Sequence, residues 1–594
     1  MSLTKYLVGA LCALSMSAAK ALPNEPESSD GRPNILLVVV DDMGWSDIGS
    51  FGSEIRTPNL DSLASEGVAM TNFRAAPTCS PTRSWLLTGV DNHLAGVGTM
   101  ENLQAPNQKG SENYAAELND NVITIAEVLS DNGYTTVMSG KWHLAESESN
   151  YPNHRGFEKS FALLQGGASH FADRLPLYRG NRVDYLENGR PASLPDDFYS
   201  SISYTDKLLQ FLEQSDTSKP FFGYLALTAP HDPLQVPDDW LDKYRGAYSA
   251  GPEQVRSERI ARQKDLGLFP KDLQPWTPPT YPEWLPFGRK AWSDRSEAER
   301  ERDARAMEIY ASMVEIVDQQ VGRIHRWLSD RDLLDNTLII FMSDNGANSS
   351  TPLIYQNTSS DSEQSFREWF LSERDQSLEN MGKAGSHAYQ GAEWAAVSNT
   401  PYAFYKGTVG EGGIRVPLIV SGPGVMSGKR SVENTHVKDI TPTILELAGV
   451  DPEQSRLYRG KQHPQGESLL SVWGGNGHLE TRTVGIELFG SKTVIQGVWK
   501  ARNIQPPVGS GQWELYHLEQ DPGETRDLAE NHKALLQSLI AEYQTYASEN
   551  GVIPPQPPFR PSVEALYAGP CDWLCQFQLD VIDGAIALKA RFVE

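Results

Sequence analysis

Four short, largely apolar runs, each followed at once by a residue able to do chemistry, constrain this chain more than any other feature. "ILLVVV" (Ile35–Val40) runs into Asp41-Asp42, "TTVMSG" (Thr135–Gly140) into Lys141 and His143, "FFGYLALT" (Phe221–Thr228) into His231, and "TLIIFMS" (Thr337–Ser343) into Asp344-Asn345. Runs that do not alternate apolar with polar residues read as strands buried on both faces, which implies a mainly parallel sheet covered by helices. The intervening segments supply those helices. "TPNLDSLASEG" opens on Thr57-Pro58 and closes at Gly67, and "AMEIYASMVEIVDQQVGRIHRWLSD" repeats its apolar residues at spacings of three and four. The expected fold is therefore α/β, a large mixed, mainly parallel sheet flanked by helices. Ligands bind such sheets at the carboxyl ends of the strands, so the acids, the lysine and the histidines should gather on one edge.

The rest of the 594 residues divides by composition. Residues 1–21 carry one early lysine, an apolar run and Ala19-Lys20-Ala21, the pattern of a secretory signal peptide; the run is too short for a membrane anchor, and a secreted protein is expected. Residues 22–32 are a polar linker and 33–450 the catalytic α/β domain. Within the latter, residues 236–300 hold many prolines and charges with Trp276, Trp284 and Trp292, read as a long insertion whose tryptophans are mainly structural. Residues 451–550 change to short strands, "RTVGIELFG", "KTVIQGVWKA" and "WELYHLE", and then a helix, a smaller antiparallel α+β subdomain. Residues 551–594 form a Pro-rich, Cys-clipped extension.

Asp41, Asp42, Asp344 and Asn345 offer hard oxygen ligands from two strand ends, a set suited to Ca²⁺ or Mg²⁺ and not to zinc. Either pair alone would be ordinary turn chemistry. Of the four cysteines, Cys12 falls in the signal, and Cys571 and Cys575 in "CDWLC" are close enough to pair as a disulfide, which isolates Cys79. Cys79 precedes Ser80-Pro81, and proline favours a first helical turn, so a helix over about Pro81–Leu87 should present its amino end to Cys79, with Arg83 one turn in. Asn348 and Asn357 lie in glycosylation sequons, and Asn357 is the better candidate because Asn348 follows the metal strand so closely. His93 in "GVDNHLAGVG" is assigned no role.

"CSPTR" followed by "SWLLTG" resembles the C-x-P-x-R signature of type I sulfatases. "PNILLVVVDDMGWSDIGSFGS", "TPNLDSLA", "GKWHLA", "APHDPLQVP", "MSDNGA" and "YKGTVGEGGIRVP" are similar to the family's other blocks in order, over about residues 33–550 and closest to bacterial-type arylsulfatases. The resemblance implies an alkaline-phosphatase/sulfatase-like fold and a sulfuric ester hydrolase that splits sulfate monoesters into alcohol or phenol and sulfate. It implies that Cys79 is converted to Cα-formylglycine by a formylglycine-generating enzyme, and that the hydrated aldehyde attacks sulfur with one hydroxyl and expels sulfate with the other. One Ca²⁺ would be held by Asp41, Asp42, Asp344, Asn345 and the modified Cys79. Arg83 would hold the gem-diol, Lys141 and Lys406 would grip sulfate, His231 would protonate the leaving oxygen and His143 would take the second hydroxyl's proton.

The alternatives are a phosphonate monoester hydrolase or phosphodiesterase of the same superfamily, and a catalytically dead secreted binding protein. With 52 Lys and Arg against 77 Asp and Glu the net charge is −25, which excludes nucleic acid and argues for a small sulfate ester over long polyanions. The leaving group and the oligomeric state are not legible.

Overall fold

The computed structural model describes residues 31–556 apart from 101–102, 217, 280–289, 351–362 and 507. The expected signal peptide, most of the linker, Trp284, Asn357, Cys571 and Cys575 lie outside the described residues. Along the chain the strands are β1 (Asn34–Val40), β2 (Val68–Arg74), β3 (Thr135–Lys141), β4 (Lys159–Leu163), β5 (Tyr185–Glu187), β6 (Arg190–Pro191), β7 (Phe221–Ala226), β8 (Thr337–Ser343), β9 (Arg415–Ser421), β10 (Lys429–Ser431) and β11 (Thr435–His436). They form one sheet in the order β10-β2-β9-β8-β1-β7-β3-β4-β5-β6, with β11 also on β2.

The middle of this sheet is parallel: Val38 of β1 sits opposite Leu225 of β7 on one side and Phe341 of β8 on the other, and β7 pairs parallel with β3. Those are the four strands read from the apolar runs. Antiparallel neighbours enter toward both sides, β9 between β8 and β2 and the β4-β5-β6 meander, so the sheet is mixed. Ile35, Leu37 and Val39 pack in one hydrophobic cluster and Leu36, Val38 and Val40 in the other, so a fully buried strand feeds a core on each face.

Two helices begin earlier than their apolar pattern indicates. The long helix spans Glu297–Ser329, because Ser296 and Glu299 form a reciprocal capping box in the charged segment ahead of the periodic one. Helix α1 (Pro58–Glu66) precedes β2, and α2 after it spans Cys79–Thr88, not Pro81–Leu87, and ends at Gly89 with φ 70°. Proline is tolerated anywhere in a first turn, whose N–H groups have no intrahelical acceptor, so Pro81 does not mark the start; Cys79 is itself the first helical residue.

β12 (Thr483–Leu488), β13 (Ser491–Gln496), β14 (Trp499–Asn503) and β15 (Glu514–His517) form a separate antiparallel sheet. "KTVIQGVWKA", read as one strand, is a hairpin: Gln496 faces Trp499 across Gly497-Val498, and the φ of 59° at Gly497 is what lets the chain reverse. One face packs Val494, Ala501 and Leu515 on Leu539 and Tyr543 of the helix Lys533–Glu549. The other face sends Ile486, Ile495 and Tyr516 into the large core, so the two units share one apolar seam.

Buried charges cross that seam. Glu411 takes Arg74 at 2.8 Å, Arg415 at 2.9 Å and Lys500 at 2.9 Å, while Glu524 takes Lys500 and Arg502 at 3.0 Å each. His93 is the second clamp: its Nδ1 meets Asp91 Oδ1 at 2.8 Å and its Nε2 meets Glu487 Oε2 on β12 at 3.0 Å. Tyr546 of the last helix donates to Asp91 Oδ2 at 3.0 Å and Lys438 stands 3.6 Å from that oxygen. Burial works against a charged His93, yet hydrogen bonds to Asp91 and Glu487 raise it from 6.5 to about 9. A raised histidine contributes its full stability at low pH and loses it as pH climbs through about 9. The thermal midpoint of the wild type should therefore fall between neutral pH and pH ~10 by more than that of His93→Gln, a differential on the order of 2 kcal/mol. Parallel pH curves for the two proteins by differential scanning calorimetry would rule this clamp out.

Candidate active site

The parallel strands deliver their following residues to one edge, and α2 (Cys79–Thr88) meets them there. Cys79 is buried in the first turn of this helix, and its Sγ lies with ligand atoms of Asp41, Asp42 and His231 all within 4.8 Å of one another. Asp42 holds φ 66° and His143 holds φ 58°, left-handed conformations that aspartate and histidine adopt more readily than most side chains.

Three carboxylates and three cations balance within the buried edge. Lys141 Nζ contacts Asp41 Oδ2 at 2.7 Å, and Lys406 Nζ contacts Asp42 Oδ1 at 2.7 Å. Arg83 donates to Asp344 Oδ2 at 2.8 and 3.1 Å, to the Lys141 carbonyl at 3.2 Å and to Tyr224 Oη at 3.4 Å. Burial alone would raise Asp41, but Lys141, His231, Arg83 and Lys406 together hold it ionised, far below the ordinary carboxylate range. Burial likewise opposes charge on Lys406, and Asp42 with the other anions keeps it cationic. The Cys79 thiol is pushed up by burial to about 12, against the pull of Lys141 and Lys406. At neutral pH only about one such thiol in 10⁵ is a thiolate, so the encoded side chain is a poor nucleophile.

Asp41 Oδ1 and Asn345 Oδ1 are buried without a hydrogen-bond partner, and Asn345 Nδ2 donates to Asp42 Oδ1 at 2.7 Å. Oxygens left bare in this way fit a hard cation, since otherwise they would carry the full cost of desolvation. Asp344 is turned toward Arg83 through Oδ2, while its Oδ1 accepts the Asp42 N–H at 3.3 Å. His231 also faces these carboxylates, its Nε2 3.6 Å from Asp42 Oδ2.

His231 Nδ1 sits 2.5 Å from the carbonyl of Asp232, which fixes the tautomer with the proton on Nδ1 and leaves Nε2 facing the carboxylates. Asp232 is held in turn by His387 at 2.8 Å and Asn348 at 3.1 Å. His143 is driven well below its ordinary value by burial and by Lys141 and Arg83, so it is a neutral imidazole, and its Nδ1 has no partner.

The sulfatase family model matches residues 33–450. The chain belongs to the sulfatase family. It is 41% identical over 546 residues to an uncharacterized sulfatase of Schizosaccharomyces pombe, covering 89% of this chain and 95% of that one. It is 39% identical over 445 residues to the arylsulfatase of Klebsiella aerogenes, covering 74% and 92%. The solved structure of Ps i-CgsB in complex with k-i-k-neocarrahexaose has a TM-score of 0.61 at 24% identity and covers 89% of this chain and 95% of that one, which shows the fold. The chain is thus a sulfatase enzyme, and its fold is the alkaline-phosphatase/sulfatase type expected.

Above Cys79 the sulfatase opens a cleft of about 110 Å³, lined by Met100, Leu103, Pro176, Leu177 and Phe489 together with His143, His231 and Lys406. Asn348, one of the two sequon asparagines, lines this cleft with its amide on Asp232. The insertion supports the site from behind: Trp276 packs on Phe404 at 4.9 Å and on Tyr405 at 5.6 Å, next to Lys406. It supplies none of the cleft's described lining.

The sequence did not single out Asp232, His387, Gly166 or Phe489. A Cβ on Gly166 would stand 2.6 Å from the His143 ring, so only glycine leaves room for that imidazole; the "QGG" after β4 is the one trace of this in the sequence. Gly166→Ala should lower sulfatase kcat by about 10²-fold by displacing His143, in the range for loss of a positioned proton acceptor. Steady-state kinetics with wild-type kcat in that variant would show that the ring's position is immaterial.

Proposed function

We propose that this sulfatase hydrolyses small sulfate monoesters of the arylsulfatase type through a formylglycine made from Cys79 by a formylglycine-generating enzyme in the secretory pathway, with one Ca²⁺. The observation that carries the reading is Cys79 at a helix amino end, within 4.8 Å of two carboxylates and His231, its own thiol pushed up to about 12. A side chain so protonated needs conversion before it can attack sulfur.

Asp41, Asp42 and Asn345 would hold the cation, with Asp344 and the modified residue completing the set. Ca²⁺ supplies Lewis acidity toward sulfate and nucleophile oxygens. The hydrated aldehyde supplies two hydroxyls on one carbon, one to attack sulfur and one to expel sulfate, a release that an ordinary serine cannot perform. Arg83, fixed by Asp344 and the Lys141 carbonyl, orients the hydroxyl facing it. Lys141 and Lys406 offer ammoniums to the sulfate oxygens and, as charge develops, to the ester oxygen. His231, with Nδ1 donating to the Asp232 carbonyl, would act as an imidazolium whose Nε2–H passes to the leaving oxygen, and the neutral His143 would accept a proton from the second hydroxyl.

Intact mass of protein from its native source should fall about 18 Da below the encoded value at Cys79. Asp41→Asn should weaken Ca²⁺ binding by calorimetry at least about tenfold. A fully thiol Cys79 in active enzyme would end this reading.

His231 as general acid predicts a leaving-group dependence. His231→Ala should lose about 10²-fold or more in kcat/KM on phenyl sulfate and far less on nitrophenyl sulfate, whose phenolate departs unaided. Equal losses across a series of graded phenols would transfer the acid's role to Lys406.

A further inference from the structure

The turn joining β12 to β13 is at odds with its own sequence. Leu488 pairs with Ser491, leaving Phe489-Gly490 as a two-residue loop, and both hold left-handed φ, 54° and 83°. A turn with positive φ at both central residues takes Asn, Asp or Gly at the first of them. A bulky aromatic there is strained, and strain of this kind survives where surrounding structure enforces it, commonly at ligand sites.

The surroundings do enforce it. Glu487 is buried; its Oε1 accepts the Gly490 N–H at 2.7 Å and its Oε2 meets His93 Nε2 at 3.0 Å, with Asp91 behind His93. The clamp therefore ties the hairpin to the loop that follows α2, the helix bearing Cys79. The strained side chain is half-buried and lines the cleft over Cys79, facing the same space as Leu103, Pro176 and Leu177. Arg182 is the cationic residue on the rim, but its side chain is 84% exposed and 3.5 Å from Asp184, so it is a solvated pair and not a buried anion clamp.

We propose that Phe489, carried by the smaller unit's hairpin, is a specificity-determining residue that receives the apolar ring of the substrate's leaving group. The favoured substrates are monosulfates whose ester oxygen is borne on an aromatic or other flat apolar ring. Ring stacking on Phe489 and burial against the aliphatic wall supply the discrimination over hydrophilic sugar sulfates. Glu487, His93 and Asp91 act as positioning residues: Glu487 holds the turn at Gly490, His93 holds Glu487 and Asp91 holds His93, and none of them lines the cleft.

The inference deepens the preceding reading of the site, and its test separates the two. Phe489→Asn gives the turn a preferred residue and removes the ring; Phe489→Tyr keeps the ring. In a Cys79→Ala background, which binds without turnover, Kd for 2-naphthyl sulfate and for glucose 6-sulfate is measured by calorimetry. Phe489→Asn should cut the preference for the naphthyl ester by about tenfold or more, Phe489→Tyr should restore most of it, and the thermal midpoint of Phe489→Asn should equal or exceed that of its parent. An unchanged preference in Phe489→Asn overturns the inference, as does a drop of several degrees in its midpoint, which would make Phe489 a packing residue. Failure of the formylglycine reading would instead appear as turnover by enzyme whose intact mass shows a fully thiol Cys79, while the Kd difference persisted.

Discussion

The structure turns on the neutralisation of three buried carboxylates, Asp41, Asp42 and Asp344, by Arg83, Lys141 and Lys406. Isolated, any one of these charges would cost several kcal/mol to bury, and removing a partner leaves that cost standing. Each partner comes from a different part of the chain: Arg83 from α2, Lys141 from the last position of β3, Lys406 from the loop before β9. The ion pairs thus specify how helix, sheet and loop meet, and the same charges constitute the site. A locally balanced edge also limits the repulsion that a chain of net charge −25 exerts on an anion, because Arg83, Lys141 and Lys406 offset the carboxylates there.

Around this edge the fold supplies rigidity and access separately. Rigidity comes from parallel strands whose residues are buried on both faces, so that their carboxyl ends cannot drift. Access comes from elements remote in sequence, the segment near Leu103, the loop near Leu177 and the turn at Phe489, which wall the cleft. The smaller unit is therefore part of the site's architecture, fastened by Glu411 with its three basic partners and by His93. These clamps trade stability for geometry: replacing buried ion pairs by apolar side chains often stabilises a protein, so their presence is better explained by the placement they enforce.

The strand ends were legible in the sequence because chemistry and periodicity coincide there: an apolar run fixes the strand, and the residue after it must emerge at the sheet's edge. Asp41, Lys141, His231 and Asp344 are all of this type. α2 was legible except for its start, since proline fits any position of a first turn and so dates it only to within one turn. The hairpin in "KTVIQGVWKA" was hidden because one glycine in an apolar run reads equally as a bulge.

By itself the sequence determined the sheet class, the reactive edge and the identity of its charged residues, because those depend on local pattern and on residue type. Tertiary structure decided the rest. That His231 stands with Asp41, Asp42 and Cys79, that Arg83 pairs with Asp344, that Asp232 and His387 brace His231, and that His93 clamps the smaller unit through Glu487 all involve partners far apart in the chain. No periodicity encodes such pairings. They arise only when buried charges must each find a partner, and the physical cost of leaving one unmatched selects the arrangement.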